Sequence, residues 1–461
     1  MIFLLLLSIG CMLMYTFFFF YEMQRKRRIS GFIIAVGMYD LIYGMLPTLI
    51  FWQVWTNGNL KSYINMKLDI SSIGELKFCY HYVYALIGFA FMVLIYYSRP
   101  LYKNEKTKKT RNEINIMSNQ AMELTAWGSL LVGAVSLFLW SKAYGSIGAL
   151  ILQANRVRSG MGSVKNNLAF FKHPATVLLI VAYMFFEMII QSPKKSMKRL
   201  LNFFGFAIAA SLSYLYLMAD DGRLTVLLFF LGFAWIYSSK KTINSVPKMC
   251  LKLTAILAVA VVFILQLDNI TYFLRFNTWP SDQGARQGAS NLIYAMLEEL
   301  IFLPIGGQTS IAAAWSGKVG LTALDDLVTG LFAWLPTRFK PQGFQDVWNI
   351  NTVLIFGDLS VSHGQYPCSI ITQGYYDFRI IGVIVLCSIV GLIIKKFDEI
   401  EYNDLTPFQY AISAKMVLII FRLIPYFSLY DITLGLFSVF EITAISFFFN
   451  NIINTARRKM L

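Results

Sequence analysis

The chain has 461 residues, of which 57% are hydrophobic and only 14% are charged, and its formal net charge is +15. A soluble protein of this size carries about 25% charged residues, so the composition excludes a soluble globular enzyme. The five cysteines are scattered and form no CxxC pair, which argues against a disulfide framework or a structural zinc site.

Apolar runs alternate with short polar connections along most of the chain. A helix needs about 20 residues to cross roughly 30 Å of hydrocarbon, which is the length of these runs. The predicted spans are residues 2–21, 31–55, 78–97, 123–140, 173–191, 200–219, 224–237, 249–267, 380–394, 408–423 and 432–449. The sequence therefore predicts an all-α, polytopic helical membrane protein with about 11 transmembrane helices. The first run is expected to be retained rather than cleaved, because its basic residues follow it instead of preceding it.

Basic residues cluster on alternate connections between the predicted spans. The clusters lie at residues 25–28, 99–111, 194–199, 240–252, 395–396 and 457–459. By the positive-inside rule this side faces the cytoplasm, which places the N-terminus outside and the C-terminus inside. Most of the positive charge is then explained by topology and by contact with anionic lipid, so no nucleic-acid partner is expected.

Residues 268–378 form the one long stretch that is neither a bilayer-length apolar run nor a short connector. The predicted topology places this stretch outside the cell as a large extracytoplasmic loop. It divides the chain into residues 1–267 with the first eight spans, the loop itself, and residues 379–461 with the last three spans and a basic cytoplasmic tail. Because loops on a rigid scaffold commonly carry function, we expect the active site there.

Two runs within this loop, residues 292–301 and 321–332, show apolar residues at helical spacing with carboxylates beside them. Both are too short or too charged to span a bilayer, which predicts short helices lying at the outer membrane surface. Between them, Gly306 and Gly307 predict a tight turn. The loop is therefore expected to form a roof of short helices that can cover a lipid headgroup.

Six arginines lie on the predicted outer side of the membrane: Arg156, Arg158, Arg223, Arg275, Arg286 and Arg338. The planar guanidinium group suits bidentate binding of phosphate, so these residues are the candidate ligands of a diphosphate. The alternative for each is contact with lipid phosphates or pairing with a nearby carboxylate. For Arg223, in a turn between the sixth and seventh spans, that partner would be Asp220 or Asp221.

Two residues of the loop are candidates for a general base. His363 carries an imidazole that can accept a proton near neutral pH. Glu298, with Glu299 beside it, is the rival, and the alternative for these carboxylates is an ordinary solvated helix face. His81 and His173 are interpreted as a packing or hydrogen-bonding residue and an interface residue. No nucleotide-binding or metalloprotease motif stands in a fitting context, so the predicted chemistry uses neither nucleotide nor metal nor cofactor.

Charged residues also occur inside or near the ends of the apolar runs. They are Asp40, Glu187, Lys415, Arg422, Asp431 and Glu441. Burying such groups in hydrocarbon is costly, which makes them candidates for function. Because several lie near the ends of spans, the preferred interpretation is that they reach the membrane surface.

Three short stretches carry a likeness to a known family. They are Asp221-Gly222-Arg223 before the seventh span, residues 296–299 leading to 306–310, and residues 374–378 before the ninth span. Together with the many spans, the dominant outer loop and the basic cytoplasmic face, they make the chain resemble the bacterial O-antigen and capsule repeat-unit polymerases, the Wzy family. The chain departs from that family in lacking a clean pair of repeated Arg-x(n)-Gly loop motifs.

The resemblance implies a glycosyltransferase that joins oligosaccharide units carried on undecaprenyl diphosphate into a surface polysaccharide, at the outer face of the bacterial cytoplasmic membrane. A sugar hydroxyl of the incoming unit would displace the lipid diphosphate from the growing chain. The arginines would stabilise the developing diphosphate charge, and His363 or Glu298 would accept the hydroxyl proton. Membrane lipids, a flippase and a chain-length regulator are the other expected partners.

Three alternatives stay open on the sequence. A ligase that moves finished glycan to another acceptor would share the arginines and the histidine. A flippase or transporter of lipid-linked oligosaccharide would instead line a central cavity with charged residues. A sensor or scaffold would use the long loop to bind a protein partner.

Overall fold

A computed structural model describes most of the transmembrane part of the chain. The described residues are 2–57, 75–98, 119–153, 167–220, 223–239, 306–335, 343–356, 366–399 and 405–460, with the single residues 255, 273, 303, 339 and 341. Within these ranges the secondary structure is helical and no strand occurs. The predicted all-α class is confirmed for the described part of the chain.

Fifteen α-helices in the described ranges are labelled in chain order. They are α1 (Ile2–Lys26), α2 (Gly31–Tyr39), α3 (Leu46–Asn57), α4 (Glu75–Tyr97), α5 (Asn119–Ala143), α6 (Ile147–Leu152), α7 (Lys172–Ala175), α8 (Val177–Gln191), α9 (Met197–Asp220), α10 (Arg223–Ser239), α11 (Ala323–Leu331), α12 (Val347–Phe356), α13 (Ile370–Asp398), α14 (Pro407–Leu423) and α15 (Leu429–Met460). A π-helical turn, Asp40–Met45, joins α2 to α3.

Eight helical segments of the described part are long and apolar enough to cross a membrane. They coincide with the first six predicted spans and with the ninth and eleventh. The predicted seventh and tenth spans form α10 and α14, each of 17 residues. At about 1.5 Å per residue such a helix extends about 25 Å, less than the roughly 30 Å of a bilayer core. The predicted eighth span, 249–267, lies outside the described residues apart from Ala255.

Helices α4 and α13 pack along one another at very short range. A Cβ atom on Gly88 would lie 2.7 Å from both Cys387 Sγ and Ile371 Cδ1, and one on Gly391 would lie 2.6 Å from the carbonyl oxygen of Met92. Small residues allow this approach, and close packing is what holds helices together where lipid replaces water as the solvent. The pair therefore fixes the start of α13 against the rest of the bundle.

Asp398, at the end of α13, joins four helices at one end of the bundle. It accepts hydrogen bonds from the backbone N–H groups of Gly31 at 2.7 Å and Phe32 at 3.2 Å, and from the Tyr96 hydroxyl at 2.8 Å. Lys26 Nζ lies 3.0 Å from the same carboxylate. The first N–H groups of a helix have no partner within the helix and attract negative charge, so Asp398 stabilises the start of α2.

Helix α8 is the most enclosed part of the second half of the bundle, since every residue from Val177 to Phe185 is buried. It packs against α5, α9 and α14. The Tyr183 hydroxyl donates to the carbonyl oxygen of Phe229 in α10 at 2.9 Å. With α8 fixed on all sides, α7 and its first residue Lys172 lie beside the end of α9.

Helix α13 is kinked at Phe378 and Arg379, where the predicted loop meets the predicted ninth span. Arg379 adopts a left-handed φ of +56°, which costs about 1–3 kcal/mol in a residue other than glycine. Its guanidinium donates to the carbonyl oxygens of Tyr375 at 3.2 Å and Val319 at 2.9 Å, which holds this conformation. Residues 370–377, assigned to the loop by the sequence, form the first two turns of the helix.

Helix α11 presents its apolar face away from the protein. Leu321 before it and Leu324, Leu327 and Leu331 within it are 49% to 64% exposed, whereas Asp326 is only 2% exposed. The helix predicted at residues 321–332 is confirmed, but Asp326 does not lie on a solvated face. The exposed leucines suit a helix that lies against lipid.

The tight turn predicted at Gly306 and Gly307 is wrong, because residues 306–315 form a helix. These glycines instead allow close packing: a Cβ on Gly306 would lie 3.1 Å from Asn351 Nδ2, and one on Gly307 would meet the ring of His81. His81 is buried, as predicted for a packing residue, and neither ring nitrogen has a hydrogen-bond partner within the described ranges.

Candidate functional site

Charged and polar side chains gather at the end of the bundle opposite Asp398. Helices α9 and α14 end there, and α7, α13 and α15 begin there; the backbone N–H of Ile370 donates to the carbonyl oxygen of Ile424 at 3.0 Å. We call this region the site end and define it by residues 172–173, 216–220, 223, 320–326, 373–379 and 422–431. It brings together a group of ion pairs and a group of buried carboxyls.

Two ion pairs form the first group. Lys172 Nζ lies 2.6 Å from Asp220 Oδ1, and the Tyr216 hydroxyl donates to Asp220 Oδ2 at 2.7 Å. Arg422 NH2 lies 3.3 Å from Asp431 Oδ2. Lys172 and Asp220 also act on the charge of Asp431, so the two pairs are neighbours. The cations are each held at the end of a helix, beside a carboxylate that fixes their position.

The predicted site residue Arg223 adjoins this group. Helix α9 ends at Asp220 and α10 begins at Arg223, which agrees with the predicted short turn between two helices. The carboxylate of Asp220, which the sequence suggested as a partner of Arg223, binds Lys172 and Tyr216. The backbone of Arg223 thus starts a helix three positions after the carboxylate that binds Lys172.

Two buried carboxyls form the second group. Thr322 Oγ1 donates to Asp377 Oδ1 at 3.0 Å, and Gln373 Nε2 donates to the same oxygen at 3.3 Å. Burial, and then the negative charges of Asp377 and Asp346, raise the pKa of Asp326 to about 8. Asp326 Oδ1 and Gln373 Oε1 are buried and have no hydrogen-bond partner among the described residues. The group therefore holds one carboxyl that titrates near neutral pH and two acceptor oxygens that lack a donor.

The backbone at the start of α11 is tied directly to α13. The N–H of Thr322 donates to the carbonyl oxygen of Tyr376 at 3.2 Å, and the N–H of Asp326 donates to the carbonyl oxygen of Thr322 at 3.0 Å. Arg379 NH2 adds a hydrogen bond to the carbonyl oxygen of Gly320 at 3.2 Å. These contacts bring Asp326 of α11 close to Asp377 of α13, although 51 positions separate them in the sequence.

Helix α12 packs a further hydrogen-bond network against the same region. The Tyr376 hydroxyl donates to Asn351 Oδ1 at 3.1 Å, and Asn351 Nδ2 donates to the carbonyl oxygen of Tyr366 at 3.3 Å. Trp348 Nε1 donates to the carbonyl oxygen of Phe427 at 3.0 Å. The described parts of the predicted outer loop are thus attached to α13 and to the α14–α15 connection, as a roof over the bundle would be.

Most of the site residues predicted from the sequence cannot be placed. Seven of the eight lie outside the residues that the structure describes: Arg156, Arg158, Arg275, Arg286, Glu298, Arg338 and His363. They stay predictions, and only the backbone of Arg223 is located.

Asp326, Asp377 and Lys172 also lie at this end, and they were not among the site residues predicted from the sequence. The spacing of the leucines placed Asp326 on the other face of the helix, but it did not predict that this face would be buried. Arg422 and Asp431 were recognised as charged residues near the ends of spans, and their ion pair there agrees with that interpretation. An aspartate on the face of a helix opposite a stripe of leucines is the sequence signal that could have identified Asp326.

No family model, curated protein or solved structure matches this chain. Across the described ranges, no group of three or more His, Cys, Asp or Glu side chains is placed to hold a metal ion. The function therefore has to be argued from the residues of the site end.

Proposed function

We propose that this chain is an integral-membrane glycosyltransferase that polymerises undecaprenyl-diphosphate-linked oligosaccharide repeat units into a surface polysaccharide. The observation that carries the proposal is the meeting of two ion-paired cations and a buried carboxyl pair at one end of an apolar bundle. A reaction between a lipid diphosphate and a sugar hydroxyl needs both. The cations stabilise the anionic oxygens of the diphosphate, and the carboxyls accept hydrogen bonds from the sugar. The sequence resemblance to repeat-unit polymerases favours the same class of enzyme.

The cations of the site end suit the diphosphate. Lys172 and Arg422 each hold one carboxylate partner, and Arg223 begins α10 beside them. Phosphate oxygens form short, charge-assisted hydrogen bonds with guanidinium and ammonium groups, so a diphosphate can join or replace the carboxylates. Of the other predicted ligands, Arg156, Arg158, Arg275, Arg286 and Arg338 would reach it from the outer loops.

The exposed leucines of α11 suit the lipid that carries the diphosphate. They lie on the helix that also carries Asp326, so an apolar surface and the polar site share one short element. A polyprenyl tail can lie along such a surface while its headgroup meets the polar residues. In this proposal the site end faces the exterior and the Asp398 end, which lies beside the basic segments 25–28 and 395–396, faces the cytoplasm.

The reaction is a displacement at the anomeric carbon of the growing chain. The hydroxyl oxygen of the incoming unit forms a bond to that carbon, and the bond from the carbon to the diphosphate oxygen breaks with its electron pair staying on the diphosphate. Lys172, Arg223 and Arg422 stabilise that charge. The proton of the attacking hydroxyl passes to a base, for which the family resemblance implies His363 or Glu298.

The test is complementation of a strain of the source bacterium that lacks the gene. The wild-type gene should restore a ladder of polymer lengths, whereas Arg223→Ala should leave single-repeat glycans. Arg199→Ala, at the opposite end of α9, is the control and should restore the ladder. A normal ladder with Arg223→Ala would remove Arg223 from the site.

The same strain separates the rival functions. Loss of a ligase would leave long polymer attached to the lipid carrier. Loss of a flippase would leave single repeats trapped in the cytoplasmic leaflet. Only loss of a polymerase leaves single repeats that have reached the outer leaflet.

A further inference from the structure

We infer that the carboxyl pair of Asp326 and Asp377 binds the attacking hydroxyl of the acceptor sugar, and that Asp326 accepts its proton. This inference rests on the proposed polymerase function and gives the role of base to a residue other than His363 or Glu298. It assigns the acceptor half of the site to the junction of α11 and α13.

Two buried acceptor oxygens at the junction of α11 and α13 lack a hydrogen-bond donor among the described residues. Asp326 is 2% exposed, Asp377 5% and Gln373 0%, yet Asp326 Oδ1 and Gln373 Oε1 have no donor among the described residues. Buried acceptor oxygens are almost always paired in folded proteins, and an exception needs an explanation. A sugar provides several hydroxyl donors close together, which is what two neighbouring acceptors without donors require.

Hydrogen bonds fix the carboxyl of Asp377, whereas the carboxyl of Asp326 has none among the described residues. Asp377 Oδ1 accepts from Thr322 at 3.0 Å and from Gln373 at 3.3 Å, so its position is fixed. The side chain of Asp326 has no hydrogen bond in the described part of the chain. One carboxyl therefore orients the acceptor, and the other is left to take up a proton.

Asp346 links the buried pair to the surface of the site end. Asp346 is close enough to act on the charge of Asp326 and is itself partly exposed. The leucines of α11 are exposed, whereas Asp326 on the same helix is buried. A sugar arriving from the aqueous side can thus reach Asp326 past Asp346 while the lipid carrier lies along α11.

The charged surroundings suit a base that works near neutral pH. Asp377 and Asp346 are the charged groups that act on Asp326; Asp325 on the same helix and Cys368, Arg379, Tyr430 and Asp431 on the surrounding segments are further charged or titratable groups. The guanidinium of Arg379 donates to the backbone carbonyl oxygens of Val319 and Gly320, and no ion pair joins it to Asp326 among the described residues. With burial and like charge dominating, the pKa of Asp326 rises to about 8, which is close to the pH at which a general base is most effective.

The proposed step balances without an added oxidant or co-reactant. The acceptor O–H bond breaks as the new bond to the anomeric carbon forms, and the proton moves to the Asp326 carboxylate. The electron pair of the broken glycosyl–phosphate bond leaves with the lipid diphosphate. Asp326 then returns the proton to water on the outer side.

The experiment uses the full chain in lipid nanodiscs, with lipid-linked repeat units extracted from the gene-deleted strain as the probe. Asp326→Asn keeps the size and shape of the side chain but cannot accept the proton. It should lower the rate of chain extension by about 100-fold or more, which is the usual size of a general-base contribution. Asp325→Asn, one position earlier on the same helix and partly exposed, is the matched control and should stay within about twofold of wild type.

Two readouts separate a base from a structural residue. The wild-type rate should rise with pH through a midpoint at about pH 8 and level off about one unit higher, because only deprotonated Asp326 accepts a proton. Asp377→Asn removes a neighbouring negative charge, so it should move the midpoint of this profile to lower pH by about one unit. A merely structural role would change neither midpoint. If Asp326→Asn does not fold, the pH–rate profiles of the wild type and of Asp377→Asn still test whether Asp326 is the base.

Each outcome has a distinct meaning. Wild-type protein that polymerises with a flat profile between about pH 6 and 9, or an Asp326→Asn variant with a wild-type rate, overturns the inference and leaves the polymerase intact. Wild-type protein that extends no chain while binding the extracted lipid overturns the proposed function and the inference with it.

Discussion

Gly307 of the 306–315 helix lies directly on the imidazole of His81 in α4. A Cβ atom on Gly307 would fall 2.0 Å from His81 Cε1 and 2.3 Å from Nδ1, and the ring centroid of Tyr43 lies 5.7 Å from that of the imidazole on another side. The imidazole of His81 therefore packs directly against the first turn of the 306–315 helix. This contact joins the predicted roof to the transmembrane bundle.

Replacing Gly307 by alanine should weaken that attachment. The added methyl group cannot fit against a ring that is enclosed, so we expect a loss of about 1–3 kcal/mol in the free energy of unfolding. The measurement is the thermal unfolding midpoint in nanodiscs. Gly320→Ala is the control, because nothing lies within 4 Å of its added Cβ. Equal midpoints for the two variants would contradict the contact.

Asp398→Ala should be among the most destabilising single changes at the opposite end. It removes the acceptor for two backbone N–H groups of α2 and leaves Lys26, whose side chain is 16% exposed, without its partner. Breaking such a partly buried pair costs about 3 kcal/mol or more. Glu399→Ala, whose pair with Lys396 is 40% to 61% exposed, should cost less than about 1 kcal/mol. A similar shift in both unfolding midpoints would show that Asp398 has no special role.

Lys172→Met should weaken binding of undecaprenyl diphosphate by about tenfold or more, which corresponds to about 1.4 kcal/mol. The change removes a cation and also leaves the Asp220 carboxylate without its ammonium partner, so the anion meets added repulsion. Lys198→Met is the control, because Lys198 pairs with Glu123 at the other end of α9. Titration of both variants in nanodiscs gives the comparison. Unchanged affinity in Lys172→Met would exclude Lys172 from the diphosphate site.

The sidedness of the site end can be measured by labelling introduced cysteines. The test uses a background without native cysteines. Gln345, next to Asp346, and Lys194, at the opposite end of the bundle, are exposed, and each is replaced by cysteine. A membrane-impermeant maleimide added to intact spheroplasts should label residue 345 and should reach residue 194 only after permeabilisation. The reverse pattern would place the site in the cytosol and end the case for a polymerase.

The membrane-spanning part of the fold was predictable because its signal is local. A run of about 20 apolar residues has few alternatives to a spanning helix, and the eight long helices coincide with predicted spans. The kink of α13 fell at the predicted boundary of the ninth span. The first two turns of this helix were assigned to the loop because Gln373 and Asp377 make residues 370–377 too polar to suggest a continuation of the span.

The candidate site was less predictable because its contacts depend on what surrounds each helix. Periodicity revealed the leucine stripe of α11 but could not tell whether it faced the protein or lipid, and the location of Asp326 depends on that choice. Gly307 suggested a turn because glycine favours turns, whereas the structure uses its lack of a side chain against His81. The pairing of Lys172 with Asp220 joins helices across 48 positions, for which no local pattern exists.

The Asp398 contact also has a consequence for biosynthesis. The N–H group of Phe32 precedes its acceptor by 366 positions. At roughly 5–20 residues per second, translation takes about 20–70 seconds to supply that carboxylate. Until then Ser30 caps the nascent second helix locally, and the N–H groups of Gly31 and Phe32 gain their carboxylate only after residue 398 has been translated.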